Sequence, residues 1–366
     1  VAHPVTRIRV LSRPGEADVA AVDAAGTLID YALWRPGTPD GVGDIHRGRV
    51  LARVPAMGGA FVAIYGSEGF LPDTQGARDV GAGAAVTVRL VRAAQGGKGP
   101  RLSARDLPND LPKGDGVALL RRGPDPVARL AALHPGAAVT VDDPALAAHT
   151  EVAVSVDRAA DPALAEAVAA LAEPVVTLPG SASFSIHPTP ALVAIDVDLG
   201  GATGGMTGGR QARGTAQRAA NRALMPELAR HIRLRDLSGV ILIDFAGMAI
   251  RERAALAPDL AGALAADPLH PRLLGFTGAG LAEILRPRVH PPLHERRAGP
   301  LAAGLAALHR VLTERPEATR LLAAPAVAAA LAADPYALDD LARRRGRSLM
   351  VESAPELGPP GWRIAP

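Results

Sequence analysis

Two short runs of β-branched and aliphatic residues, each delivering an acid at its end, constrain this chain more than any other feature. ALVAIDVDLGG runs from Ala191 to Gly201, and HIRLRDLSGVILIDFAGM runs from His231 through Asp244 to Met248. A buried strand that carries a carboxylate to the edge of a sheet has this form. A glycine-rich loop and a helical segment separate the runs, so they can be neighbouring strands of one sheet, with Asp196 beside Asp244. Two such carboxylates repel. A divalent cation removes that repulsion, and oxygen-only ligation favours magnesium or manganese over zinc.

The connecting loop, Gly200 to Gly214, precedes a helix expected over Thr215–Ile232. Strand, glycine-rich loop, helix and strand is also the plan of a nucleotide-binding βαβ unit, so a nucleotide-binding α/β enzyme stays as a third, weaker reading. No Gly-Lys-Ser/Thr closes the loop, and no ordered dinucleotide fingerprint is present. Bare amides with Arg210 and Arg213 suit an RNA phosphate near the metal, and a flexible connector is the competing reading. Pro226 is expected to end or kink the helix.

From Gly43 to Arg105 five short strands can be drawn: Ile45–Val54, Ala60–Ile64, Glu68–Leu71, Ala85–Ala93 and Arg101–Ser103, with glycine-rich turns between them. This spacing suits a small closed barrel of the OB type. Phe61 and Phe70 are two of only 5 phenylalanines in the chain. On an OB sheet such rings stack on bases, while Lys98 and Arg101 hold the backbone; the competing assignment puts the rings in the barrel core.

Together these stretches resemble the ribonuclease E/G family of bacterial endoribonucleases. The resemblance is carried by RLRDLSGVILIDF with Met248, by AIDVD at Ala194–Asp198, and by TGAGLAEILRPR at Thr277–Arg288. GRV, GAFV, GFLP and KGPRL resemble the RNA-binding barrel named after ribosomal protein S-one. The implied fold is α/β with an inserted all-β OB-type barrel and a mixed-sheet core of RNase H-like and DNase I-like type. Its expected divisions are N-terminal core strands at 1–38, the barrel at 39–106, a linker and reduced sensor region at 107–190, the catalytic domain at 191–295 and a small C-terminal domain at 296–366.

The resemblance assigns the catalytic magnesium to Asp196 and Asp244, with Asp198 in the place of an asparagine that orients water. The implied activity is magnesium-dependent cleavage of single-stranded RNA, leaving a 5′ phosphate on the downstream product. Several positions depart from the family pattern: Asp198-Leu199, Ala223, and Gly247 in place of an acid three residues beyond Asp244. The Arg-Thr pair that binds a 5′ monophosphate has no counterpart near Val117–Gly123, so stimulation by that group is expected to be weak or absent. These departures favour the alternative, a catalytically weak or inactive RNA-binding member.

Composition narrows the rest. With no cysteine, disulfides and thiolate zinc sites are excluded, and with them the Cys-Pro-x-Cys zinc link of large family members; any homo-oligomer forms without it. Lys plus Arg number 40 against 37 for Asp plus Glu, mostly arginine, a side chain suited to forked phosphate contacts. No apolar run approaches the ~20 residues that span a bilayer, and the start lacks an apolar signal core, so a cytoplasmic protein is expected. The first residue, Val1, leaves room for a start further upstream. Glu283 with Arg286 reads as a helical surface pair, and the segment after Leu301 as three helices and a strand. His290 and His294 read as loop histidines, with Pro291 and Pro292 breaking any helix between them.

Overall fold

The computed structural model describes residues 4–200 and 210–365. The chain opens with an antiparallel meander, β1 (Val5–Arg13), β2 (Glu16–Asp23) and β3 (Leu28–Trp34). The barrel follows: β4 (Ile45–Val54), β5 (Gly59–Ile64), β6 (Ser67–Pro72), β7 (Ala85–Arg92) and β8 (Arg101–Ser103). Neighbours run β5-β6-β8-β7-β4, and β4 pairs back onto β5, closing five strands. Alternate residues fill the interior, among them Val50, Val62, Leu71, Val88, Leu90 and Leu102. A further strand, β9 (Ala118–Arg121), adds to the outer edge of β4.

The chain then returns to the first sheet. Helix α1 (Pro126–Leu133) starts at Asp125, whose Oδ1 accepts from the backbone N–H groups of Val127 at 2.7 Å and Ala128 at 2.9 Å, a capping arrangement that satisfies two orphan donors. β10 (Ala138–Val141) lies parallel to β1, and β11 (Ser155–Val156) parallel to β10. After α2 (Pro162–Ala169) come β12 (Val175–Thr177), β13 (Ser183–Pro188) and β14 (Val193–Asp198).

Helix α3 (Arg210–Leu234) crosses over from β14 to β15 (Gly239–Asp244). α4 (Ile250–Arg253), α5 (Ala257–Leu264), β16 (Arg272–Phe276) and β17 (Ala282–Arg286) complete a six-stranded sheet in the order β12-β13-β14-β15-β17-β16. Only β14 and β15 run parallel within it. One face carries Ile195, Val197, Ile241 and Ile243 against Leu224, Leu228 and Ile232 of α3 and Leu260 and Leu264 of α5. This is the largest apolar core described, and it fixes both acidic strands under one helix layer.

One local expectation is narrowed and another corrected. α3 runs through Pro226 without ending there; its buried residues before and after the proline, Met225 and Leu228, share one core, and that packing holds the helix across the lost hydrogen bond. The Ala282–Arg286 stretch is a strand, not a helix, because it pairs with both β15 and β16. Arg286 is therefore no surface partner of Glu283: its side chain is 2% exposed and its Nε lies 2.7 Å from Asp267 Oδ2, with that carboxylate equally buried.

After α6 (Leu293–Arg296), whose Leu293 packs with Tyr31 and Leu33 of β3, the C-terminal part packs α7 (Gly299–Glu314), α8 (Pro325–Ala332) and α9 (Pro335–Arg345) around a three-stranded sheet of β18 (Arg320–Ala323), β19 (Met350–Ser353) and β20 (Trp362–Ala365), ordered β19-β18-β20. Two of these strands, β18 and β20, go beyond the single one expected. The basic end of α9 is spent on structure: Arg343 and Arg344 both pair with Asp143 and Asp340. No helix among the described residues is long and apolar enough to cross a membrane.

Candidate active site and nucleic-acid face

Asp196 and Asp244 are Cα partners across the parallel pair β14–β15. Paired residues of adjacent strands project to the same side, and the strands lie about 4.8 Å apart. The alternation settles which side it is. Ile195, Val197, Ile241 and Ile243 face the core under α3, so Asp196, Asp198 and Asp244 face the opposite, open side. Asp196 and Asp198 are exposed, and the Asp244 side chain keeps 48% of its accessible surface. The sheet thus presents two adjacent carboxylates, with a third two residues further along β14.

Each neighbour of the pair is fixed by identifiable contacts. Asp244 Oδ1 accepts from Arg253 Nη1 at 2.5 Å, which leaves Oδ2 outside that bond. Asp198 Oδ1 accepts from the Gly200 amide at 2.8 Å. Gly200 has φ +55, and a Cβ there would fall 2.2 Å from the Ser181 carbonyl oxygen, so the strand exit requires glycine. Beyond Asp244 the chain turns through Gly247 at φ +72, against the Gln217 side chain of α3. Fully buried Asn221 on α3 donates from Nδ2 to the carbonyls of Gln217 and Ala246, both at 2.9 Å, and so ties the helix to the turn that follows Asp244. An open cleft lies beside this turn, lined by Gln217, Arg218, Met248, Arg251 and Glu252.

Of the two loop arginines expected near phosphate, Arg210 and Arg213 both begin α3, but their side chains lie outside the described residues, as does the stretch 201–209.

The barrel presents a second surface. Phe61 of β5 and Phe70 of β6 are Cα partners, their rings edge-to-face with centroids 5.6 Å apart. Neither belongs to the barrel core, and both are half-buried, so the rings lie on the outer wall. Gly59 makes room for them: a Cβ there would strike the Phe70 ring at 2.4 Å. Arg101 of β8 is the Cα partner of Phe70 on its other side, and exposed Lys98 sits in the β7–β8 hairpin, bridged to Gln95. The four residues expected to meet RNA from this barrel share one region of it. They are separate in sequence from the carboxylate pair.

Residues 149–289 match the family model described as Ribonuclease E/G family. Ribonuclease E of Nostoc sp. is 35% identical over 117 residues, which cover 32% of this chain and 16% of that protein. Ribonuclease E of Escherichia coli is 37% identical over 117 residues, 32% of this chain and 11% of that protein. The chloroplastic ribonuclease E/G-like protein of Arabidopsis thaliana is 34% identical over 121 residues, again 32% of this chain and 11% of the relative. Residues 149–289 belong to the ribonuclease E/G family. The matched stretches are a minor part of each relative's length.

The ribonuclease E/G segment contains β12 to β17, α3 and both aspartates, while the barrel lies before it. Within it the sequence reading passed over Arg253 and Asn221's contact to Ala246. No spacing rule announces Arg253: it sits nine residues past Asp244, and only the return of α4 toward the β16–β17 turn brings it back.

Proposed function

We propose that the chain is a divalent-cation-dependent endoribonuclease acting on single-stranded RNA in cytoplasmic RNA processing or decay. The observation that carries this reading is the facing register of Asp196 and Asp244 on the open side of a sheet, inside a ribonuclease E/G segment. Magnesium fits these residues, with manganese as a substitute. Among the described residues no group of three or more His, Cys, Asp or Glu could hold a metal. Two carboxylates with water completing the shell is the habit of magnesium, which dehydrates reluctantly and takes one or two protein carboxylates. When bound, the cation supplies charge stabilisation to the phosphoryl oxygens.

The chain's own residues supply the rest. Asp196 and Asp244 would hold the cation, Arg253 keeps the Asp244 carboxylate in one orientation, and Asp198 stands beside them to orient the attacking water and take its proton. The barrel would bind the unpaired strand by stacking bases on Phe61 and Phe70. We read the sheet of β1–β3, β10 and β11, an antiparallel meander with two later strands added parallel to β1, as the RNase H-like part, and the six-stranded sheet that carries the aspartates as the DNase I-like part.

The test is cleavage of an AU-rich single-stranded RNA with magnesium titrated in, beside Asp196→Asn and Asp244→Asn. Each substitution should reduce the rate by roughly 100-fold or more, since several kcal/mol of charge stabilisation depend on the ion. Undiminished cleavage by either variant sinks the metal assignment. A second reading, an RNA binder with little or no cleavage, is favoured by the Arg253 guanidinium already engaged on Asp244 and by Gly247 in place of an acid. Tight RNA binding by the unaltered chain without magnesium-dependent cleavage selects it.

A further inference from the structure

The barrel and the acidic sheet meet at three arginines. Arg92 on β7 and Arg101 on β8 are Cα partners, and Arg288 lies two residues beyond β17. Burial first, then the charges of Arg101 and Arg288, lowers the affinity of the Arg92 guanidinium for its proton, and no carboxylate figures among the causes. Like charges set opposite each other across a strand pair are destabilising. Arg92 Nη2 donates to the Gly99 carbonyl at 3.2 Å, while among the described residues its Nε is buried without a hydrogen-bond partner.

The position of Arg288 is built rather than incidental. Gly239, at φ +83, leaves space that a Cβ would take: that atom would lie 2.5 Å from Arg288 Nη2 and 2.8 Å from Nε. The β7–β8 loop is fastened beside it. The Ala93 amide donates to the Val289 carbonyl at 2.9 Å, and the Gly96 amide to Glu295 Oε2 at 2.9 Å. Arg101 also neighbours Phe70, and Gly239 opens the strand that ends at Asp244, about 17 Å on at 3.3 Å per residue.

We propose that Arg92, Arg101 and Arg288 form a phosphate site for the RNA segment that lies between the aromatic pair of the barrel and the two aspartates. This rests on the RNA reading above and adds to it a junction site made by both parts of the fold. Guanidinium forks match phosphate oxygens, and a phosphodiester removes the mutual repulsion that the protein alone leaves in place.

The experiment is binding of a labelled single-stranded oligoribonucleotide to the full chain in EDTA, where no cleavage intervenes, over a range of salt. The unaltered chain is compared with Arg92→Gln, Arg288→Gln, the double variant and Arg288→Lys. Each lost charge should flatten the slope of log K against log salt by about 0.7, the value for one phosphate contact on a single strand. Arg288→Lys should keep the slope, and the loss should be alike for different sequences. Melting without RNA should stay level or rise in the glutamine variants, because repulsion is relieved. An unchanged slope overturns the site while leaving RNA binding intact. Lost binding with a lowered melting point makes Arg288 a strut of the junction and also overturns it. An unaltered chain that binds no RNA removes both this site and the reading beneath it.

Discussion

Arg253 Nη1 donates to Asp244 Oδ1 at 2.5 Å, and the same guanidinium reaches the carbonyls of Gly280 from Nη1 and Met248 from Nε, both at 3.2 Å. One side chain therefore joins the end of β15 to the turn that precedes β17. Its effect on a cation at Asp244 has two opposed parts. It orients the carboxylate, but its charge also repels the ion: at about 5 Å, even with the dielectric of water, one positive charge opposes a divalent ion by about 1.7 kcal/mol. Arg253→Ala should thus bind magnesium or manganese roughly tenfold more tightly in a calorimetric titration without RNA. Its turnover should nonetheless fall, as the carboxylate loses its orientation. Weaker ion binding in the variant would show that orientation outweighs repulsion.

The Phe61–Phe70 pair stands on the barrel wall rather than in its core, so its substitution separates binding from folding. Phe61→Ala and Phe70→Ala should each cost about 1–3 kcal/mol in single-stranded RNA affinity, the worth of one base–aromatic stack. The two losses should not add, because the rings touch each other. Fluorescence anisotropy at fixed salt measures the loss. A change in urea midpoint comparable to that of a core truncation would return the rings to the barrel interior.

Asn221 holds the turn after Asp244 to α3, and it is fully buried. Asn221→Ala strands the Ala246 carbonyl and should destabilise the chain by about 1–3 kcal/mol in urea denaturation. Because the turn leads directly from Asp244, kcat should fall more than KM rises. Equal changes in the two would limit Asn221 to general support of the helix.

The parts of this fold legible in the sequence were those written in local alternation. Asp196 and Asp244 each follow two inward aliphatic residues at period two, so a strand reading alone puts both acids on the outward face. The glycines between barrel strands likewise mark turns at Gly58 and Gly66, where φ is +62 and +77. What failed was decided by partners distant in the chain. Ala282–Arg286 has good helix formers and a Glu–Arg spacing of three, yet β15 and β16 on either side capture it as a strand. β18 and β20 are four residues each, too short for periodicity to register, and they exist because they pair with one another. Arg253 lay beyond reach for the same reason: its partners belong to β15 and to the β16–β17 turn.

His231, near the end of α3, gives the fold a pH dependence. It is 8% exposed, packs edge-to-face on Phe184 with ring centroids 5.5 Å apart, and among the described residues its Nδ1 is buried without a hydrogen-bond partner. Burial, then the charges of Arg230 and Arg235, pushes it down from 6.5 to about 3. Between those values the unfolded chain binds a proton that the folded chain refuses, so stability rises with pH across that window and is lost on acidification below about 6.5. Each unit of pH costs at most about 1.4 kcal/mol from this group. His231→Leu removes the proton uptake while keeping an apolar neighbour for Phe184. Urea denaturation at pH 7 and at pH 5 should show a smaller drop in the variant than in the unaltered chain, and an equal drop would mean that the acid sensitivity lies in other groups.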